Sequence, residues 1–465
     1  MGADPILTVA QMRGAEQALI DGGTSVYDLM RTAGRGAGEW VWRLSGARAV
    51  TVLCGPGNNG GDGWVLAELL RERGGDVAVI APREPATAAA RNARAAYRGA
   101  VLDPAAPRHG EVFVDCLFGS GLTRPLGEAD VARLTRLAAA HHKTVAVDLP
   151  SGIDSDAGTA LNPGLPRTDL TVALGAWKFA HWTMPAAAMM GERRLVGIGI
   201  GEVASAAHLL AKPRLTRPPL DAHKYTRGLL AVIGGAMPGA AQLAAKAAMH
   251  GGAGYVKLFG KRGAARPAEP VIDNRPLAEA LADRRIAALL IGPGLGRDDM
   301  ARERLELALV PPRPLVLDAD ALHLLRPDDL GGRDAPTILT PHEGEMVALE
   351  TSFGLDGQGP RRDRALTLAK ASSAVVLLKG SDSLIAAPDG TLACAAPASS
   401  WLSVAGSGDV LAGLLASRLA TGSAPFEAAC EALWLHGEAA RLAGPAFTAG
   451  QLADAVQGAV AAALQ

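Results

Sequence analysis

The feature that most limits what this chain can become is a rhythm. Short β-rich runs alternate with longer helical stretches, and they do so in two separate regions. In the first, AVTVLC (Ala49–Cys54), DVAVIA, EVFVDCLFG and KTVAVDLP read as strands, with DLTVALGA and RLVGIGI as two more. WVLAELLRERG from Trp64, TAAARNARAAYRG from Thr87 and ADVARLTRLAAAH from Ala129 read as the helices between them. A helix over VAQMRGAEQALIDGG precedes the first strand and stops at Gly22–Gly23. The second region restarts at GLLAVIGG (Gly228–Gly235) and runs through AALLIGPGLG, RPLVLDADAL, APTILTPHEGE and AVVLLKGSDSLIAAP to three helical segments after Ser407. Such alternation builds parallel sheets flanked by helices, so the expected class is α/β with two three-layer domains, the first Rossmann-like. From about Val203 to Ala222 the rhythm lapses in ASAAHLLAKPRLTRPPLDA. The expected domains are therefore 1–205 and 223–465, joined by a linker over 206–222.

Composition narrows the functions open to such a chain. Its 465 residues allow two or three cores, and 49% hydrophobic with 20% charged residues is ordinary globular usage. With 46 basic against 47 acidic residues no long-range field draws in nucleic acid or an acidic membrane, and 4% aromatic content leaves few stacking platforms for bases. Cys54, Cys116, Cys394 and Cys430 show no metal or disulfide spacing, which fits a reducing compartment. MGADPILTVA lacks the basic and apolar regions of a secretory signal, and the most apolar stretch, from Gly228, is broken by glycines, a proline and Gln242. A soluble, cytoplasmic protein is expected, without nucleic-acid or membrane partners.

Glycine-rich strand ends carry the candidate chemistry. GPGNNGGDG (Gly55–Gly63) sits between a strand and a helix, where backbone amides approach ligands in α/β sheets, and packs Asn58, Asn59 and Asp62 among five glycines. It is neither G-x-G-x-x-G nor a P-loop, and an Asx-turn scaffold also accounts for such content, but nine residues of this composition favour a ligand site. VDCLFGSGLTRP (Val114–Pro125) ends a strand in Asp115, and AVDLPSGID (Ala146–Asp154) ends one in Asp148, followed by Ser151. Taken singly, each Asp also serves as a turn or helix cap. Gathered at one sheet edge, oxygens of Asn59, Asp115 and Ser151 suit a hard cation, leaving Asp148 for proton transfer.

In the second region SVAGSGDVLAGLLASRLA (Ser403–Ala420) sets Gly406, Ser407 and Gly408 before Asp409 at a helix start. Their amides and the helix dipole form an anion hole for a transferring phosphoryl group, and Asp409 is placed to accept a hydroxyl proton. The Lys379–Ser383 turn of LLKGSDSLIAAP is expected to embrace nucleotide phosphates. His342 in TPHEGE is a lone histidine and no zinc motif, and DADAL (Asp318–Leu322) and GPGLG (Gly292–Gly296) end strands at the same edge.

These motifs resemble a known pair of domains. AQMRGAEQ, GPGNNGGDG, FGSGL and DLPSG are similar to the NAD(P)H-hydrate epimerase domain. GLLAVIGGAMPGAAQLAAKAAMHGGAGYV, IGPGLG, VLDADAL, LTPHEGE, LLKG and GSGDVLAG resemble the NAD(P)H-hydrate dehydratase domain of the ribokinase-like superfamily. Together they resemble the bacterial bifunctional NAD(P)H-hydrate repair family over about Val9 to Ala440. The resemblance implies that the substrate is NADH or NADPH hydrated at C6 of the nicotinamide ring. One domain interconverts the R and S hydrates; the other restores the S form with ADP or ATP and magnesium. In the first domain it implies substrate contacts at Asn58, Asn59, Gly60, Gly61 and Asp62, at Gly119, Ser120, Gly121, Leu122, Thr123, Arg124 and Pro125, and at Asp148. Asn59, Asp115 and Ser151 match potassium ligands, and Lys178 in GAWKFAH joins Asp148 in proton transfer. In the second domain Ala240, Gly296, His342 and Asp409 match hydrate contacts, while Lys379, Gly380, Ser381, Asp382, Ser383 and Gly408 match the nucleotide site. A homo-oligomer is expected.

Some positions depart from the family pattern. Ser383 stands where relatives usually have Thr, GSGD replaces GTGD, and YVKLFG and KRGAARPAEPVIDNRP (Lys261–Pro276) diverge on one side of the second site. Two rival readings are a small-molecule kinase with an accessory nucleotide-binding N-terminal domain and a catalytically silent nucleotide sensor. The fused NNGGD domain speaks against the first, and the retention of Asp115, Asp148 and Asp409 against the second.

Overall fold

The structure is a computed structural model and describes residues 4–204, 206–260 and 270–464. Of the divergent stretch Lys261–Pro276, residues 261–269 lie outside the described residues. The chain divides into two compact units, Met1–Ala207 and His208–Gln465.

In the first unit β1 (Pro5–Leu7) leads into α1 (Val9–Asp21) and α2 (Val26–Ser45). There follow β2 (Val50–Cys54), α3 (Asn58–Glu72), β3 (Val77–Ile80), α4 (Ala88–Ala96), β4 (Ala100–Leu102), β5 (Gly110–Cys116) and α5 (Glu128–Ala139). The unit closes with β6 (His141–Val147), β7 (Thr168–Leu174), β8 (Trp177–Lys178) and β9 (Met190–Val196). Seven strands form one sheet in the order β4-β3-β2-β5-β6-β7-β9, parallel at every pairing. Every residue of β2 is buried, as a strand covered by helices on both faces must be. Strand order reverses at β2, with β3 and β4 on one side and β5 onward on the other, so the loops after β2 and β5 part there. That is where α/β sheets open a binding crevice.

Two helices differ from expectation. α2 was not among the helices read from the rhythm, because Gly34 and Gly38 weaken its helical signal. The same glycines let it press on α3: a Cβ at Gly34 would lie 2.7 Å from Val65 Cβ, and one at Gly38 2.7 Å from Leu69 Cδ2. α3 itself begins at Asn58 rather than near Trp64. The Asn58–Gly63 stretch is thus the opening of a helix, not an Asx-turn, and its glycines serve close packing. A Cβ at Gly60 would sit 1.9 Å from Gly55 O, and one at Gly63 2.7 Å from Cys116 Cβ.

The second unit begins around β10 (Ala207–Leu209), then runs through β11 (Leu229–Ile233), α6 (Pro238–His250), β12 (Tyr255–Phe259), β13 (Val271–Ile272), α7 (Leu277–Leu281) and β14 (Ile286–Ile291). Next come α8 (Asp299–Leu309), β15 (Leu315–Leu317), α9 (Asp320–Leu324), β16 (Thr337–Leu339), α10 (Glu343–Ser352) and α11 (Arg361–Ser372). β17 (Val375–Leu378), β18 (Leu384–Ala386), β19 (Leu392–Cys394), α12 (Ser407–Ala420), α13 (Pro425–Ala443) and α14 (Ala449–Ala463) complete it. Strands lie in the order β13-β12-β11-β14-β15-β16-β17-β18-β19-β10. Pairing is parallel as far as β17 and antiparallel through β18 and β19. LLKGSDSLIAAP is therefore a hairpin rather than one strand, closed by Gly380 N–H donating to Ser383 Oγ, which in turn donates to Gly380 O. The stretch read as linker contributes β10, whose His208 and Leu209 pair with Ala393 and Cys394 of β19. Strand order reverses at β11, flanked by β12 and β14. Behind it α6 and α12 pack through alanines, and a Cβ at Gly413 would meet Ala244 O at 2.1 Å. Among the described residues no helix is long and apolar enough to cross a membrane.

Candidate active sites

In the first unit the loops after β2, β5 and β6 open on a cavity of about 890 Å³. Asn58, Asn59, Asp62, Asp148, Lys178 and the whole loop Gly119 to Pro125 line it. Gly60 and Gly61 do not; they are packing positions, and a Cβ at Gly61 would lie 2.4 Å from Met30 Cε. Asp148 ends β6 with φ +67°, a left-handed conformation uncommon for a residue with a side chain. Two bonds hold it there: its N–H donates to Val172 O at 2.7 Å, and its carbonyl accepts from His181 Nε2 at 2.7 Å. The bend aims the carboxylate at Lys178, whose Nζ donates to Asp148 Oδ1 at 2.5 Å and to Leu174 O at 2.6 Å. Ser120 N–H donates to Oδ2 at 2.9 Å. Lys178 is only 1% exposed and is carried by β8, which pairs with β1 through Leu7.

Electrostatics sort these groups. Burial works to raise the Asp148 pKa, but the charge and hydrogen bond of Lys178 and the Ser120 amide hold it below the usual carboxylate value. Asp62 goes the other way: burial, then the nearby Asp148 and Glu16, push its carboxyl well up. His181 is pushed down to about 4 by burial and by Lys178, so the ring is neutral. Its Nδ1 accepts from Lys178 N–H at 2.9 Å, which fixes the Nε2–H tautomer and ties the backbones of the two paired residues together. Burial keeps the Cys54 and Cys116 thiols well above their ordinary pKa, so neither supplies a thiolate nucleophile.

The three oxygen residues read as cation ligands occupy the floor beside this cavity. Ser151 Oγ and N–H donate to Asp115 Oδ1 and Oδ2 at 2.7 and 2.8 Å, and Leu117 N–H donates to Oδ1 at 3.0 Å. Despite these bonds, burial leaves the Asp115 carboxyl raised. The Asn59 amide is buried with neither its oxygen nor its nitrogen bonded, and a Cβ on Gly119 would lie 3.3 Å from its Oδ1. An orphaned amide costs stability unless a ligand meets it. Among the described residues no three His, Cys, Asp or Glu side chains gather as a metal site, so any cation here relies on neutral oxygens as well as Asp115.

The second unit gathers its groups from three strand ends and two helices. Lys379, just past β17, donates to Asp318 Oδ1 at 2.7 Å and stands 3.6 Å from Glu345 Oε2. Thr340 Oγ1 donates to the same Asp318 oxygen at 2.7 Å. Burial works to lower the Lys379 pKa, but Asp318, Glu345 and Asp409 win and raise it. Asp409 is pushed up to about 6 by burial and by Asp318, against Lys379. A Cβ on Gly408 would be 3.7 Å from Lys379 Nζ, so Lys379 and the start of α12 come together.

Several expected contributors take a different part. Ser407 N–H donates to Val404 O, so it is not a free amide of the anion hole. The first turn of α12 instead leaves the N–H groups of Gly408 and Asp409 without an acceptor among the described residues. Asp382 is bonded by Arg361, which also donates to Lys379 O at 3.1 Å; together they brace the turn from within. His342 caps α10, its Nδ1 accepting from Gly344 and Glu345 N–H at 2.9 and 3.2 Å. Gly296 holds φ +88° and donates its N–H to Asp320 at 3.0 Å. Ala240 lies in the opening turn of α6. His436, pushed down to about 4 by burial, places Nε2 2.9 Å from Ser407 O and steadies the start of α12.

Sequence reasoning missed Glu16, Arg13, His181, Arg361 and His436. Only α1 carried a signal: Val9, Met12, Arg13 and Glu16, all lining the first cavity, recur at the spacing of one helix face.

Two α/β units, each with ionisable side chains gathered at the C-terminal ends of its strands, define the class of two-domain α/β enzymes with one candidate site in each unit. Comparisons with known proteins carry that class to a family. A family model described as "YjeF-related protein N-terminus" matches residues 26–180, and one described as "NAD(P)H-hydrate dehydratase" matches residues 230–460. The bifunctional NAD(P)H-hydrate repair enzyme Nnr of Gloeobacter violaceus is 36% identical, over 93% of this chain and 92% of the relative. That of Salinibacter ruber is 35% identical over 94% and 91%. Among solved structures, the Bacillus subtilis ADP/ATP-dependent NAD(P)H-hydrate dehydratase co-crystallised with ATP and Mg2+ is 26% identical, covering 54% of this chain and 95% of that one, with a TM-score of 0.47. The chain belongs to the family of bifunctional NAD(P)H-hydrate repair enzymes.

Proposed function

We propose that the first unit interconverts the R and S forms of NADH or NADPH hydrated at C6, and that the second dehydrates the S form at the expense of ADP or ATP. The observation that carries this reading is a Lys–Asp ion pair at the strand ends of each unit: Lys178–Asp148 at 2.5 Å, with Asp148 just past β6, and Lys379–Asp318 at 2.7 Å, joining the ends of β17 and β15. Each lies in the half of the chain that matches the corresponding family model. The rival reading, a small-molecule kinase with an accessory domain, leaves the first cavity and its ion pair without work.

At the first site Asp148 stays ionised beside Lys178 and accepts a proton from the hydrate or from water, while Lys178 steadies the charge. The Asn59 amide, Asp115 and Ser151 fit a potassium ion, with Asn59 the group left in want of a partner. Bound there, potassium supplies charge that offsets buried Asp115. At the second site Asp409 takes the proton of the C6 hydroxyl as its oxygen attacks the terminal phosphoryl group. The Gly408 and Asp409 amides and Lys379 receive the charge on that group. The nucleotide leaves as AMP from ADP, or ADP from ATP. Phosphate then departs from C6 with the push of the ring nitrogen, a proton is lost from C5, and the dihydronicotinamide is restored. Magnesium, when bound with the nucleotide, would supply positive charge that offsets its phosphates beside Lys379. A cytoplasmic setting, a homo-oligomer and independent folding of the two units belong to the same proposal.

The test is to give the purified protein the R,S-hydrate mixture with ADP or ATP and to follow recovery of the reduced cofactor. Complete recovery of both epimers is expected, with R-hydrate turnover slower when sodium replaces potassium. Recovery of neither would overturn the reading, and an ion-independent R-hydrate rate would remove the potassium site.

A further inference from the structure

The first cavity contains a carboxyl group that the mechanism above does not use. Glu16 lies on α1, on the helix face that lines the cavity together with Met12 and Arg13. It is half-buried and, among the described residues, takes no hydrogen bond and no ion pair. Its electrostatic neighbours are the groups of the site itself: Lys178, Asp148 and Arg13 act on it, and it acts on Asp62. Burial lifts its carboxyl, Lys178 and Arg13 oppose the lift, Asp148 adds to it, and the result is raised. The cavity thus pairs an ionised carboxylate, Asp148, with a carboxyl biased toward its neutral form. Such division between two carboxyls is how acid and base roles are assigned within one site.

We propose, resting on the epimerase reading, that Glu16 is a second catalytic residue of this cavity and the proton donor that complements Asp148. The reacting carbon, C6, carries a hydroxyl and is bonded to the ring nitrogen N1. Glu16 donates its proton to that hydroxyl, the C6–O bond breaks, water leaves, and the N1 lone pair forms a C=N bond to C6. Water then adds to the other face of C6, a new C–O bond forms, and Asp148 takes the proton that water sheds. Glu16 ends one proton poorer and Asp148 one richer, and exchange with solvent resets both. The opposite epimerisation uses the two residues in the reverse order.

The experiment uses the full-length protein with ADP and separated R- and S-hydrate. S-hydrate turnover reports the concentration of intact enzyme, and the R-hydrate rate reports the first cavity. Glu16→Gln is expected to lower kcat on R-hydrate about 100-fold or more with KM little changed, and to flatten the alkaline limb of the pH–rate profile. Glu16→Asp, which restores a carboxyl, is expected to recover part of the rate and the limb, separating a chemical role from a failure to fold. A near-wild-type R-hydrate rate in Glu16→Gln, or a loss confined to KM, overturns the proposal. A wild-type protein that does not convert R-hydrate at all would instead sink the epimerase reading beneath it.

Discussion

A lysine with 1% exposure cannot shed its charge into water, so the Lys178 ammonium depends on Asp148 and the Leu174 carbonyl. Asp148→Asn should therefore be expensive in two measurements. Removing one partner of a buried ion pair costs about 3–5 kcal/mol, readable by denaturant titration, and R-hydrate conversion should fall about 100-fold or more. Unchanged stability would show that the pair is wet. Asp409 presents the opposite balance. Its carboxyl titrates in the fold near 6, above its unfolded value near 3.8. The fold therefore favours the protonated form, and that contribution is complete below the unfolded value and lost as pH rises through about 6. At neutral pH Asp409→Asn should hold or raise Tm while abolishing nucleotide-dependent recovery from S-hydrate, and wild-type dehydration should rise with pH through an acid limb near 6. Normal recovery by the variant would remove Asp409 as the base. Asp148 and Asp409 were legible because each ends a strand or opens a helix within a short polar motif. Glu16 and His181 were not, because their meaning comes from Lys178 and Asp148, brought to them by the pairing of β1 with β8 and by the turn after β7.

At the scale of the element, the start of α3 decides how rigid the first site is. Three glycines in its opening turns press on their neighbours, Gly60 on the Gly55 backbone, Gly61 on Met30 of α2 and Gly63 on Cys116 at the end of β5, so Asn58, Asn59 and Asp62 project from a packed helix and not from a pliable loop. The strand positions were readable as unbroken apolar runs, whereas this helix start was not, since glycine-rich sequence ordinarily marks a turn. Close contact, not conformational freedom, is what the glycines supply here. Gly60→Ala places a methyl group 1.9 Å from Gly55 O, so the helix must shift. The expected outcome is a loss of about 1–3 kcal/mol and a collapse of R-hydrate conversion, while S-hydrate dehydration persists. An active, fully stable Gly60→Ala protein would show that α3 adapts without cost.

Across the whole molecule, the division into Met1–Ala207 and His208–Gln465 says where to cut. β10 pairs with β19 of the second unit, so a break should fall before Ala207 rather than within 206–222. Fragments 1–206 and 207–465, expressed apart, should convert R-hydrate and S-hydrate respectively, as followed by chiral separation and by cofactor recovery. Soluble fragments without either activity would make the units interdependent. The two-region rhythm is the sequence's only sign of two units, and the strand hidden among the prolines of the stretch read as linker was too short to show a period. In the first unit the sheet reverses direction at β2, and the cavity follows that reversal, which leaves the far margin of the sheet idle. Val101 on β4 lies at that margin, open to solvent. A dye or a surface tether attached there would report on the enzyme, or immobilise it, from the edge strand, with β3 between it and the strand whose end opens on the catalytic chamber.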